Sequence, residues 1–207
     1  RTDSGIAGNI SVTATFAIDT YTVTFKNWDG VNLKTETVEH GGGATAPTAP
    51  AREGYHFTGW DVEYGNITSS LTVTAIFAID TYTLTYAAGA NGSISGTAVQ
   101  TVNYGGSGTA VMGIPATGYH FVAWSDGITT ATRTDSGVTG NISVTATFTI
   151  NTYTVTFKNW DGGDLKTVTV EHGGAATAPT APARTGYHFT GWDVEYGNIT
   201  SSLTVTA

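Results

Sequence analysis

Residues 21–30 read Tyr-Thr-Val-Thr-Phe-Lys-Asn-Trp-Asp-Gly, and residues 153–162 repeat them without a change. Tyr21, Val23 and Phe25 alternate with Thr22, Thr24 and Lys26. A period of two lines one face of a strand with apolar groups and the other with hydroxyls. Asn27-Trp28-Asp29-Gly30 then supplies Asp-Gly between two alternating runs, a strong hairpin signal. The second strand is expected from about Leu33 to His40. This stretch sets the fold class as all-β, with little or no helix.

Further along, residues 41–54 carry Pro47 and Pro50 and show no apolar periodicity. Proline removes a backbone donor and breaks helices, so an extended or polyproline-like connection is expected. Tyr55 to Tyr64 reads as a third strand, in which strict alternation would part Trp60 from Tyr55 and Phe57. Gly59 lies between them, and a glycine inside a strand often marks a bulge. A bulge at Gly59 would return Trp60 to the Tyr55/Phe57 face. Leu71, Val73, Ala75 and Phe77 supply the core face of a fourth strand.

The pattern recurs along the chain. Residues 1–75 return as 133–207 at a constant offset of 132, differing only at positions 6, 7, 17, 19, 31, 32, 36, 43 and 53. Each unit of that length holds two related modules. Module A opens at Tyr21 and again at Tyr153, and module B opens at Tyr82 with Tyr-Thr-Leu-Thr-Tyr. Both kinds contain a Gly-Gly step and then Gly-Tyr-His-Phe-x-x-Trp, at 54–60, 118–124 and 186–192. The expected organisation is 1–20 the C-terminal part of a B module, 21–80 an A module, 81–152 a B module, and 153–207 an A module cut in its last strand. In module B, strands are expected at 98–104, Thr109 to Ile114, Tyr119 to Trp124 and Ile142 to Phe148, with a long polar loop from Ser125 to Gly140. The joins Ala78-Ile79-Asp80-Thr81 and Thr149-Ile150-Asn151-Thr152 are short and apolar enough for strand to run nearly into strand. Small modules joined in this way predict a stiff, elongated rod.

Composition agrees with that picture. Threonine makes up about one residue in five, charged residues are 12%, and 27 glycines supply turns. An apolar fraction of 40% suffices for small cores. With eight Lys and Arg against sixteen Asp and Glu, there is no basic face for nucleic acid or for an anionic membrane surface. No apolar run approaches the roughly 20 residues needed to span a bilayer. There is no cysteine, which rules out a disulfide scaffold and a cysteine zinc site. The only methionine is Met112 and no signal peptide is visible, so the sequence reads as an excerpt of a longer chain.

Module A resembles the Listeria–Bacteroides repeat, also called the internalin B-repeat. The matching residues are Tyr-Thr-Val-Thr-Phe at 21–25, Gly-Gly at 41–42, Pro50 and Gly-Tyr-x-Phe-x-Gly-Trp at 54–60. Module B resembles divergent bacterial relatives of that repeat, through Gly92-Ser93-Ile94, Pro115-Ala116-x-Gly118-Tyr119-x-Phe121, Trp124 and Val144-Thr145-Ala146-Thr147-Phe148. The resemblance implies β-grasp-like modules in bacterial surface proteins and adhesins, set between a ligand-binding tip and a wall anchor, with no catalytic residues to transfer. Trp28 and Trp160 depart from it, since the family usually has small polar residues in the first turn.

Each chemical candidate has a plainer reading. His56, His120 and His188 lie between core aromatics and are expected to point outward, alone on each module, rather than bind metal or act as bases. Asp29-Gly30-Val31-Asn32 and Asp161-Gly162-Gly163-Asp164 hint at a calcium turn but lack the rest of the loop, so a hairpin explains them better. Lys26 and Lys158 beside asparagines suggest an isopeptide cross-link, but alternation points them outward. Trp28 and Trp160 sit at turn tips, where an indole can stack on a sugar, anchor a neighbouring module, or fold over its own hairpin. No catalytic, cofactor or metal residues are identified, and any such site would occur once per A module without a convergent acid, base and nucleophile. Three functional readings remain: a stalk or spacer in a bacterial secreted or cell-surface protein, a self-associating module of an extracellular filament, and a carbohydrate-binding module. The partners expected are neighbouring modules, other copies of the chain, or host and cell-surface glycans.

Overall fold

The computed structural model describes residues 2–207; Arg1, the first residue of the expected B-module remnant, lies outside them. Strands and loops account for all the described residues, and no helix is present among them. The chain divides into two compact units between Asp80 and Thr81.

In the first unit, β1 (Thr20–Lys26), β2 (Asn32–Glu39), β3 (Tyr55–Trp60) and β4 (Leu71–Ile79) form one sheet in the order β2-β1-β4-β3. β1 is antiparallel to β2 and parallel to β4, and β4 is antiparallel to β3. This is the β-grasp order, with an extended loop in place of the crossover helix. Val23, Phe25 and Val73, on the two central strands, are fully buried. The Phe25 ring meets Trp60 and Tyr64 edge-on, with centroids 5.0 and 5.3 Å away. Each fully buried side chain of this kind contributes about 1.5–3 kcal/mol. The bulge expected at Gly59 is present: Phe57 faces Phe77, Gly59 faces Ile76, and Thr58 is the extra residue. Gly59 has φ 152°, which side chains rarely adopt. The shift brings Trp60 to 5.4 Å from Phe57.

The second unit opens with a sheet of the same order. β5 (Thr81–Ala88), β7 (Val99–Asn103), β9 (Tyr119–Trp124) and β11 (Ile142–Ile150) are arranged β7-β5-β11-β9, with β5 and β11 parallel. A smaller sheet, β10-β8-β6, joins β6 (Gly92–Ser95), β8 (Val111–Pro115) and β10 (Thr132–Arg133). Their shared core includes Leu84, Tyr86, Val111, Trp124, Val138 and Val144. The segment expected to be a long polar loop, Ser125 to Gly140, therefore does more: it contains β10 and buries both Arg133 and Val138. The strand expected from Thr109 begins at Val111, because the Gln100 amide holds both backbone groups of Thr109.

The unit ends with β12 (Thr152–Lys158), β13 (Asp164–Glu171) and β14 (Leu203–Thr206), ordered β13-β12-β14. Val155, Phe157 and Val205 repeat the buried trio of the first sheet. Residues 187–192, the copy of β3, form no strand. In the first copy β3 pairs with Ala75–Ile79, and of these only the counterpart of Ala75, Ala207, belongs to the sequence. Residues 2–19 form no strand either.

Candidate functional site

Four places concentrate aromatic, charged or hydrogen-bonding groups. The first is the hairpin tip that carries the candidate tryptophan. Asn27 N–H donates to Val31 O at 2.8 Å, Gly30 N–H to Asn27 O at 2.9 Å, and Asp29 Oδ1 accepts from Val31 N–H at 3.0 Å. This closed turn presents Trp28, which is 48% exposed. The Arg52 guanidinium lies 4.2 Å from the Trp28 ring centroid and 3.6 Å from that of Tyr55. The copy is the same, with Arg184 4.1 Å from Trp160 and 3.9 Å from Tyr187. Each tryptophan thus holds an arginine from the proline-rich connection. Stacks of this kind contribute about 0.5–1 kcal/mol at exposed sites. Sequence reasoning missed Arg52 and Arg184; the available signal was the lone cation of each connection.

The second place is the join between β11 and β12. Asn151 N–H donates to Gly118 O at 2.8 Å, and His172 N–H donates to Asn151 O at 2.9 Å. The Asn151 side chain meets His120 Nδ1 at 2.7 Å. Gly118 has φ 82°, and a Cβ there would lie 2.3 Å from His172 Cδ2. Glycine is required on both counts, because the backbone conformation and the close approach each exclude a side chain. The first unit contains matching halves of such a join. Asp80 N–H donates to Gly54 O, His56 Nδ1 meets Asp80 Oδ1 at 2.8 Å, and His40 N–H donates to Asp19 O. His56 and His120 are exposed, and each is hydrogen-bonded to a residue just after the strand it pairs with, Asp80 or Asn151.

The third place is a buried ionic cluster in the second unit. The Arg133 side chain is 4% exposed and reaches Asp126 at 2.9 Å and Asp135 at 2.6 Å. The Tyr86 hydroxyl donates to Asp135 Oδ2 at 2.6 Å. The hydrogen bond from Arg133 holds the Asp135 carboxyl below the usual carboxylate range, against burial and with help from Tyr86. Burial opposes the charge on Arg133, but its bonds to Asp135 and Asp126 outweigh that and keep it firmly protonated. Burial and the neighbouring Asp135 push the Tyr86 phenol well above its ordinary value. A neutral phenol, a fixed carboxylate and a fixed cation form a structural pin.

The fourth place is a cavity of about 190 Å³ at the unpaired copy of β3, bounded by Trp160, Arg184, Tyr187, Phe189 and Ala207. In the first unit the corresponding space is filled by β4, whose Phe77 ring lies 5.8 Å from Phe57. The residues that fill this space in the first unit, Ile76–Ile79, have no counterpart in the sequence, and the lining of the cavity carries no convergent catalytic groups. Among the described residues, no cluster of three or more His, Asp or Glu is placed to hold a metal ion. Among the same residues, no helix is long and apolar enough to cross a membrane.

Comparison with known proteins finds two related family models along the sequence. A model of the Listeria-Bacteroides repeat domain matches residues 21–75 and 153–205, and a model of the divergent InlB B-repeat domain matches residues 82–152. A protein of Evansella cellulosilytica named "Putative membrane protein" is 28% identical over 192 residues, covering 86% of this chain and 28% of its own length. Internalin H of Listeria monocytogenes is 34% identical over 134 residues, covering 62% of this chain and 22% of its own length. The chain thus spans about a quarter of the length of the curated relatives it matches. A solved type 2 repeat of the mucus binding protein MUB from Lactobacillus reuteri covers 65% of this chain and 100% of that one, at 14% identity and a TM-score of 0.21. A likeness at that level carries no inference about function.

Proposed function

The chain belongs to the Listeria–Bacteroides repeat family, and on that premise we propose that it acts as a structural spacer in a bacterial cell-surface or secreted protein, with no catalytic role. The observation that carries this reading is the join at Asn151. A single residue separates β11 from β12, and it is hydrogen-bonded to the module on each side. Gly118 packs against His172 across the same join. A connection with both backbone groups engaged resists bending, which is what a spacer requires and a flexible tether lacks. Small separate cores and the absence of a convergent reactive cluster among the described residues favour the same role. Trp28 and Trp160 are assigned to holding Arg52 and Arg184 over Tyr55 and Tyr187, which pins the connection to the hairpin.

The test uses the absence of native cysteine. Spin labels are placed at the exposed positions Thr101 and Thr167 of the full chain, on either side of Asn151. Pulsed electron resonance should give one narrow distance distribution, and Gly118→Ala should broaden it. A broad distribution that Gly118→Ala leaves unchanged would count decisively against a spacer.

A further inference from the structure

We propose that Arg52, Trp28 and Tyr55 form a binding site for a sugar that carries a single carboxylate, of the hexuronic acid kind. The three residues come from separate parts of the first unit: the hairpin tip, the connection and the start of β3. The Arg52 guanidinium rests against both rings, 4.2 Å from the Trp28 centroid and 3.6 Å from that of Tyr55. Aromatic contacts hold it in place, and no acid does. Lys34, Arg133 and Lys158 each pair with a carboxylate, while Arg52 pairs with none among the described residues. The chain has sixteen acidic side chains against eight Lys and Arg, so an acid partner was abundantly available. Asp29, at the same tip, spends its Oδ1 on Val31 N–H instead.

A positioned guanidinium without an acid partner matches a carboxylate, which it can hold through two parallel hydrogen bonds. Beside it, Trp28 remains 48% exposed. An indole offers a flat apolar surface to the C–H groups of a pyranose ring. Together the two groups match a sugar ring with one carboxylate at its edge. A β-glucuronide has that shape: its ring faces carry only axial C–H groups, and its carboxylate is equatorial. Charge sets the number of carboxylates. With a net charge of −8, the chain repels a densely charged polyanion, whereas one guanidinium offsets one carboxylate. Trp160 and Arg184 repeat the pair at 4.1 Å, so both A modules carry it. Such a site adds a contact to the spacer role and leaves that role as it stands.

An NMR titration of the full chain tests the proposal by following the Trp28 indole N–H and the Arg52 Nε–H. Methyl β-D-glucuronide and methyl β-D-glucoside differ only in the carboxylate, and N-acetylaspartate amide carries a carboxylate without a pyranose ring. The glucuronide should shift both signals with a Kd of about 1–10 mM. The glucoside and the aspartate amide should each bind at least about tenfold more weakly. Arg52→Lys keeps the charge but loses the two-pronged donor, and should weaken glucuronide binding at least about fivefold. Trp28→Ala should abolish it, with the backbone amide signals of β1 and β4 unchanged in both variants. No shift at either signal up to about 50 mM glucuronide overturns the proposal. So does glucuronide binding that survives either substitution, or glucoside binding of equal strength. Equal binding of the aspartate amide overturns it as well, by making the site one for acidic peptides.

Discussion

Residues 134–151 and 2–19 differ at only four positions, 138/6, 139/7, 149/17 and 151/19 in the two copies. In the first, Ile142–Ile150 is a central strand between β5 and β9, and Val144 is 5% exposed. In the second there is no strand, and the corresponding Val12 is 61% exposed. The same contrast separates Tyr55–Trp60, paired with β4, from its identical copy at 187–192. In both cases the segment without regular structure is the one whose partner strand is missing from the sequence. A strand's hydrogen bonds all lie outside itself, so its sequence confers readiness to pair and nothing more.

The largest expected effect breaks the comparison at the paired phenylalanines. Phe148 packs against Phe121 and the core of its sheet, so Phe148→Ala should cost about 3 kcal/mol. Phe16→Ala, at the equivalent exposed position, should cost less than about 0.5 kcal/mol by chemical denaturation at concentrations where the chain is monomeric. Equal costs would mean that Phe16 is packed in solution.

Next in size is Asp135→Asn, which weakens the grip on Arg133 and should cost about 1.5–3 kcal/mol near neutral pH. Asp135 titrates below its ordinary value in the folded chain, so the unfolded chain binds more protons in that range. The stability it supplies is complete above about pH 4, the ordinary carboxylate value, and is lost as pH falls through the lower folded value. Thermal melts at stepped pH should show the second unit losing stability in that window, and Asp135→Asn should flatten the loss.

The smallest effect concerns backbone alone. Gly59 and Gly191 have φ of 152° and 148°, and a Cβ at either meets nothing within 4 Å. Gly59→Ala should cost about 1–3 kcal/mol, because the paired strand fixes the bulge. Gly191→Ala should cost much less, because its segment is free to relax. Adding Ile-Phe-Ala-Ile-Asp after Ala207 should raise the second cost toward the first and protect the amides of 187–192 from exchange.

Much of the fold was legible. Alternation at Tyr21–Phe25 gave β1 and its buried face, Asp29-Gly30 gave the hairpin, and Gly59 gave the bulge that turns Trp60 inward. These depend on neighbours within a few residues, where local sterics dominate. Arg52, Arg133 and the histidine contacts were not legible. Arg52 meets Trp28 across 24 positions of sequence, and Asp135, which holds Arg133, meets Tyr86 across 49. No local pattern marks which charge is carried inward by a fold that brings distant segments together.

By itself, the sequence determined the strand alternation, the turns, the bulge and the order of the repeats, because each follows from the chemistry of adjacent residues. Only the tertiary structure decided which distant segments pair and which arginine is buried. The reason is that a strand and an ion pair each require a second segment, and nothing within the first records whether that segment is there.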